Sequence, residues 1–258
     1  MNELLLYSVE ERIATISLNR PEKRNAFSPE LVSELTQALL RAAEDEQVKV
    51  VILKAEGSVF SAGADLAYLQ ELSDNTFEEN VRDSENLRKL FTTLYYLPKV
   101  VIAQVEGHAI AGGCGLATIC DLTFAVPEAL FGYTEVKLGF VPAIVSCFLV
   151  RQTSETIAKQ ILLSGDLFTA DEALAYNLIN YIYPKDEIEN EVRKYALKLC
   201  SETSGNSLMI TKQLIGQTTN PGLEKSLNIA VQLNARVRES EDFKKGIAAF
   251  LQKEQIKW

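Results

Sequence analysis

The sequence predicts an α/β domain that ends in an α-helical segment, and three observations carry that reading. From Leu4 to Pro184, short runs of apolar and β-branched residues alternate with stretches of helical spacing. From Asp186 onward only helical spacing is found. Two of the buried runs also lead into glycine-containing junctions followed by small residues, Phe60-Ser61-Ala62-Gly63-Ala64-Asp65 and Ala111-Gly112-Gly113-Cys114-Gly115. Glycine there means that the chain turns where a side chain would clash, or that something approaches the backbone closely.

"LLLYSVEE" from Leu4 and "IATISLN" from Ile13 predict a hairpin or a pair of adjacent strands. The basic turn "RPEKRNAF" follows, and Ser28-Pro29 opens a helix with serine as N-cap and proline at its first position. Leu31, Val32, Leu35, Leu39 and Ala42 or Ala43 give that helix one apolar stripe. "VKVVILKAEG" is a buried strand ended by Gly57; "VFSAGADLAYLQEL" reads as a loop and then a helix. A longer helix runs from Phe77 to Leu97 and stops at Pro98; "VVIAQVEG" is the next buried strand. After Asp121, which is expected to cap or turn the chain, come short strands "LTFAV" and "LFGY". Helices are predicted at Ala143 to Arg151, Glu155 to Leu163 and from the Thr169 cap, with strand "NYIYP" closing this part. The tail predicts helices over Glu189 to Cys200, Ser207 to Gly216, Leu223 to Glu239 and Glu241 to Lys253.

The chain of 258 residues is long enough to bury a sizeable core, and 47% apolar with 24% charged residues is ordinary globular composition. A net charge of −9 disfavours nonspecific nucleic-acid binding. The first residues lack the basic region and long apolar stretch of a secretory signal, and no apolar run approaches a membrane span. Cys114, Cys120, Cys147 and Cys200 lack zinc-site spacing, and His108 is the single histidine. A reduced, metal-free, cytoplasmic protein is expected. No G-x-S-x-G elbow accompanies His108, and neither G-x-G-x-x-G nor G-x-x-x-x-G-K-[ST] occurs. Each glycine junction can present a free backbone N–H at the start of a helix, and two such donors aimed at one point form an oxyanion hole. Cys114 reads as a buried thiol and His108 as a packing residue.

Five segments in order, "SLNRPEKRNAFS", "FSAGADLAYL", "GHAIAGGCGLATICDL", "FGYTEVKLGFVP" and "DFKKGIAAFLQK", resemble the enoyl-CoA hydratase/isomerase family, from about Glu11 to Lys253. The resemblance implies the crotonase fold, a ClpP/crotonase-like β-β-α superhelix with a C-terminal α-helical trimerisation segment. Residues 1–195 would form the core with its acyl-CoA site, and residues 196–258 the oligomerisation segment. It implies an acyl-CoA thioester as substrate, no separate cofactor and a homotrimer or a hexamer built as a dimer of trimers. It also implies an oxyanion hole from the N–H groups of Ala64 and Gly112. Ala62, Ala64 and Leu66 match positions that line the adenine pocket, Lys23 or Arg24 a cation for the CoA phosphates, and Lys253 a lysine that reaches the 3′-phosphate from a neighbouring subunit.

Hydratases of the family use two glutamates, as expected when water must give up one proton and carbon receive another. Glu135 matches one; Gly115 stands at the position of the other. Three explanations follow: Glu135 acts alone, another acid such as Asp65 enters the site, or room at Gly115 admits a branched or carboxylated acyl group. Where the family commonly has P-G-x-G-G-T, this chain has Pro142-Ala143-Ile144-Val145-Ser146. "EVKLGFVPAIVSCFLVR" with Gly115 is most similar to the methylglutaconyl-CoA hydratase type. A hydratase of a 2-enoyl-CoA is therefore expected, with a single-glutamate isomerase and a non-catalytic acyl-CoA binder as rivals. RNA binding, a side activity in one branch of the family, is disfavoured by the acidic balance.

Overall fold

The structure is a computed structural model that describes residues 3–72, 74–219, 222–252, 254, 256 and 258, without the side chains of Leu66 and Phe250. In chain order, β1 (Leu5–Glu10) and β2 (Ile13–Leu18) lead through a 3-10 turn (Pro21–Lys23) to α1 (Pro29–Glu44), β3 (Val50–Ala55), β4 (Val59–Ser61), α2 (Leu66–Leu72) and α3 (Phe77–Tyr95). β5 (Val100–Val105), β6 (His108–Ile110), α4 (Gly112–Thr118), β7 (Leu122–Ala125) and β8 (Leu130–Gly132) follow, and then a second 3-10 turn (Glu135–Leu138). The rest is α5 (Ala143–Gln152), α6 (Glu155–Ser164), β9 (Phe168–Thr169), α7 (Ala170–Ala175), β10 (Tyr181–Ile182), α8 (Ile188–Glu202), α9 (Gly205–Thr218), α10 (Leu223–Glu239) and α11 (Glu241–Gln252).

Two sheets result. The larger has the order β1-β2-β3-β5-β7-β10; only β1 and β2 pair antiparallel. Its central strands are apolar on both faces because both faces are covered: Val50, Val51 and Leu53 of β3 and Val101, Ile102 and Ala103 of β5 are buried. The smaller sheet has the order β4-β6-β8-β9, with β4, β6 and β8 parallel. Of this sheet the sequence predicts only β8 as a strand. β4 and β6 have three residues each, too few for a period-2 pattern to register.

α1 follows its sequence signals. Ser28 caps it by accepting from the Leu31 N–H at 3.3 Å, Pro29 opens it, and Leu31, Leu35, Leu39 and Ala42 are buried. α3 begins with a capping box, Thr76 with Glu79. Asp121 turns the chain as expected: its carboxylate accepts from the Val101 N–H at 2.8 Å and pairs with Lys212 at 2.7 Å. His108, expected to pack, is instead exposed at the start of β6, and its Nδ1 accepts from the Leu130 N–H at 3.1 Å.

The expected division after residue 195 runs through α8, which packs Ile188, Val192, Ala196 and Cys200 into the core. Buried Lys49 binds the end of that helix by donating to the carbonyls of Cys200, at 2.9 Å, and Thr203. Beyond it, α9 and α10 bury none of their described residues and leave Ile215, Leu223, Leu227 and Val231 exposed. Among the described residues, no helix is long and apolar enough to cross a membrane.

Candidate active site

The small sheet assembles the site. β4, β6 and β8 are adjacent and parallel, so their C-terminal ends lie along one edge. β4 runs out into Ala62-Gly63-Ala64, β6 into Ala111-Gly112 and β8 into Tyr133-Thr134-Glu135. Residues remote in sequence are thus gathered at the carboxyl edge of parallel strands, where open α/β sheets commonly bind ligands.

At the first strand end, Ala64 forms an isolated parallel bridge with Phe27. The Phe27 N–H donates to the Gly63 carbonyl at 2.6 Å, and the Asp65 N–H to the Phe27 carbonyl at 2.9 Å. In a parallel bridge the residue between those two bonds points its own N–H the other way. No described residue accepts from the Ala64 N–H. At the second strand end, Ala111 sits at φ 51° and ψ −124°, an unfavourable conformation for a residue with a Cβ. Its N–H donates to the Gly132 carbonyl at 2.7 Å, which pins the bend. α4 starts directly after it with no side-chain cap, and its first N–H groups, beginning with Gly112, have no partner within the helix.

The glycines let these two ends touch. A Cβ on Gly63 would lie 2.8 Å from the Ala111 Cβ and 3.3 Å from the Gly112 nitrogen. A Cβ on Gly113 would lie 2.5 Å from the Ser61 carbonyl oxygen. Buried Asn25 supports the first strand end, accepting from the Arg20 N–H at 2.8 Å and donating to the Glu56 and Val59 carbonyls at 2.9 and 2.8 Å. The Ser61 hydroxyl donates to the Asn25 carbonyl at 2.8 Å and accepts from the Gly63 N–H at 3.2 Å. Sequence reasoning missed Asn25, Ser61 and Ala111. The available signals were a polar residue in a turn before an apolar one, a serine ahead of a glycine, and nothing for an alanine bent to positive φ.

Glu135 stands at the third strand end, buried, and its Oε2 atom has no hydrogen-bond partner among the described residues. Burial holds its carboxyl above the ordinary range, and a backbone hydrogen bond offsets part of that shift. The ionisable groups that sense it are Cys114 on α4 and Tyr133 beside β8, and both are uncharged: burial pushes the Cys114 thiol up to about 12 and the Tyr133 phenol well above its usual value. Cys114 is a buried thiol, as its setting in the sequence suggests.

The remaining expected site residues fall as follows. Lys23 and Arg24 are exposed on the turn beside the first strand end, and the Arg24 carbonyl accepts from the Ala62 N–H at 3.0 Å. Leu66 opens α2, with its side chain outside the described residues, and Lys253 lies outside them altogether. Asp65 is committed elsewhere. It pairs with Arg20 at 2.9 Å and accepts from the Ala67 N–H at 3.0 Å; burial pushes its carboxyl up, but these bonds outweigh burial and hold it low. Room at Gly115 is corrected. A Cβ there would come within 2.3 Å of Val145 Cγ1 and 3.1 Å of Phe91 Cε1, so the direction of the missing side chain is filled by hydrocarbon.

Known proteins resemble this chain along nearly its whole length. The sequence profile of the enoyl-CoA hydratase/isomerase family matches residues 8–258. A Thermus thermophilus protein named "Putative enoyl-CoA hydratase" is 44% identical over 241 residues, covering 93% of this chain and 95% of that one. The 2,3-dehydroadipyl-CoA hydratase of Escherichia coli is 33% identical over 257 residues, 98% of this chain and 97% of its own. The crystal structure of an enoyl-CoA hydratase from Mycobacterium smegmatis superposes with a TM-score of 0.94 at 28% identity, covering 100% of this chain and 99% of that one.

Proposed function

The chain belongs to the enoyl-CoA hydratase/isomerase family, and from that premise we propose that it reversibly hydrates a 2-enoyl-CoA with Glu135 as its one acid–base group. The observation that carries the reading is the buried Glu135 carboxylate, whose Oε2 atom has no hydrogen-bond partner among the described residues, on the same strand edge as the Ala64 and Gly112 N–H groups.

The thioester oxygen sits between the N–H groups of Ala64 and Gly112. Attack at Cβ moves charge onto that oxygen, and fixed donors stabilise the enolate without reorganising. Glu135 takes a proton from water as the hydroxide oxygen bonds to Cβ. The same carboxyl then gives the proton to Cα, which restores the thioester and the carboxylate. A carboxyl raised by burial suits both halves of that exchange. The exposed cations Lys23 and Arg24 face the CoA phosphates, and Ala62 and Leu66 lie beside the adenine. Lys253 is assigned to the 3′-phosphate from a neighbouring subunit of a trimer or hexamer, a reading supported by the exposed apolar residues of α9 and α10.

For the acyl group, the segment from Glu135 to Arg151 favours 3-methylglutaconyl-CoA over crotonyl-CoA by resemblance, without help from open room at Gly115. A second reading, movement of a double bond by Glu135 alone, is favoured by the hydrocarbon that fills the place beside Gly115. Incubation with crotonyl-, 3-enoyl- and 3-methylglutaconyl-CoA in heavy-oxygen water separates the two. Hydration places solvent oxygen in the product; isomerisation does not.

A further inference from the structure

The helix that carries the Gly112 donor and the helix that follows Glu135 pack together through Val145 on Gly115 and, one end further on, through the Gln152 side chain, which donates to the Thr118 carbonyl. A Cβ on Gly115 would lie 2.3 Å from Val145 Cγ1 and 3.0 Å from Val145 Cβ, so α5 can sit this close to α4 only because residue 115 has no side chain. Gly115 lies within one helical turn of Gly112.

The other half of the contact is just as specific. Between Glu135 and Val145 no residue is buried: Leu138, Phe140 and Val141 are 67%, 55% and 60% exposed. Among the described residues, the one ion pair from this stretch, Lys137 with Asp166 at 2.7 Å, is exposed on both sides and holds little. After Glu135, Ile144 is partly buried against the core, and the first fully buried residue is Val145, 5% exposed, whose seat is the helix that begins at Gly112.

We infer that Val145, packed on Gly115, is the positioning residue that sets the separation between the Gly112 donor and the Glu135 carboxylate. This inference rests on the roles proposed above for those two groups. Val145 touches no reacting atom. It fixes the exposed segment after Glu135 against the element that holds the other half of the machinery, so that both act on one bound thioester.

The test uses three variants of the full chain, Val145→Ala, Gly115→Ala and the two combined. Each is measured for kcat and KM on the best ester of the panel, for thermal stability, and for the titration of the Glu135 carboxyl by carbon-13 NMR. Val145→Ala is expected to lower kcat by roughly tenfold or more with KM little changed, because reacting groups displaced by a fraction of an ångström lose alignment before binding suffers. It is also expected to move the Glu135 titration. Gly115→Ala should lower kcat as well, and the double variant, which trades the lost methyls for the added one, should recover much of it. If Gly115→Ala fails to fold, Val145→Ala alone decides. Loss of stability with wild-type kcat and an unmoved Glu135 titration would overturn the inference and leave the hydratase reading intact. If the wild type turns over no ester, the hydratase reading fails by itself, and the NMR titration still decides the role of Val145: no change in Val145→Ala overturns it.

Discussion

Gly63 lies so close to Ala111 that a methyl group added to it would come within 2.8 Å of the Ala111 Cβ and 2.9 Å of the Ile110 carbonyl oxygen. The two strand ends therefore touch because one residue has no side chain and the other tolerates a positive φ. Gly63 is itself at φ +82°, which adds a conformational demand to the steric one.

Gly63→Ala should accordingly destabilise the protein by about 2–4 kcal/mol, from overpacking together with a left-handed backbone. Gly113→Ala should do similar damage, because its Cβ would meet the Ser61 backbone and not the end of a flexible chain. Chemical denaturation of each variant checks this.

Asn25→Ala removes an acceptor and two donors from a side chain that is fully buried beneath an exposed turn. A loss of about 2–4 kcal/mol is expected, since the Glu56 and Val59 carbonyls lose their partner. Asn25→Asp should not rescue it, because a carboxylate cannot donate to either carbonyl. Thermal unfolding of the two variants reads the difference.

Glu135→Gln should lower turnover by about 10²–10⁴-fold while the fold survives. Its effect on stability has a definite sign. The folded carboxyl is raised above its unfolded value, so its contribution is fully present below the unfolded pKa and is lost as pH rises through the folded one. At neutral pH the glutamine variant should therefore be at least as stable as the wild type, and that advantage should vanish in acid. Melting curves across pH check it.

The same raised carboxyl predicts the acid limb of kcat/KM. Activity that needs the ionised Glu135 should fall away at a pH above the ordinary range for glutamate. A limb inside the ordinary range would place the working carboxyl in water.

Much of this was legible in the sequence. The Ser28-Pro29 start of α1, its buried stripe, the Thr169 cap of α7 and the two-sided strands β3 and β5 follow from local chemistry that tertiary contacts do not override. Glu135 and the two glycine junctions were visible as well. The small sheet was not, because strands as short as β4, β6 and β9 have no pattern and exist through their neighbours. For the same reason the sequence hid what Gly115 faces. A glycine reports the absence of a side chain, and only the packing of α5 on α4 reveals that Val145 and Phe91 take the room.

The central claim is that Glu135 and the two backbone donors hydrate an enoyl thioester with no second carboxylate. Its most direct test is mass spectrometry of crotonyl- and 3-methylglutaconyl-CoA after incubation with the protein in heavy-oxygen water, in the wild type and in Glu135→Gln. The wild type should place one solvent oxygen in the product, and the variant almost none. Movement of the double bond in 3-enoyl-CoA without any oxygen incorporation from either 2-enoyl ester would contradict it.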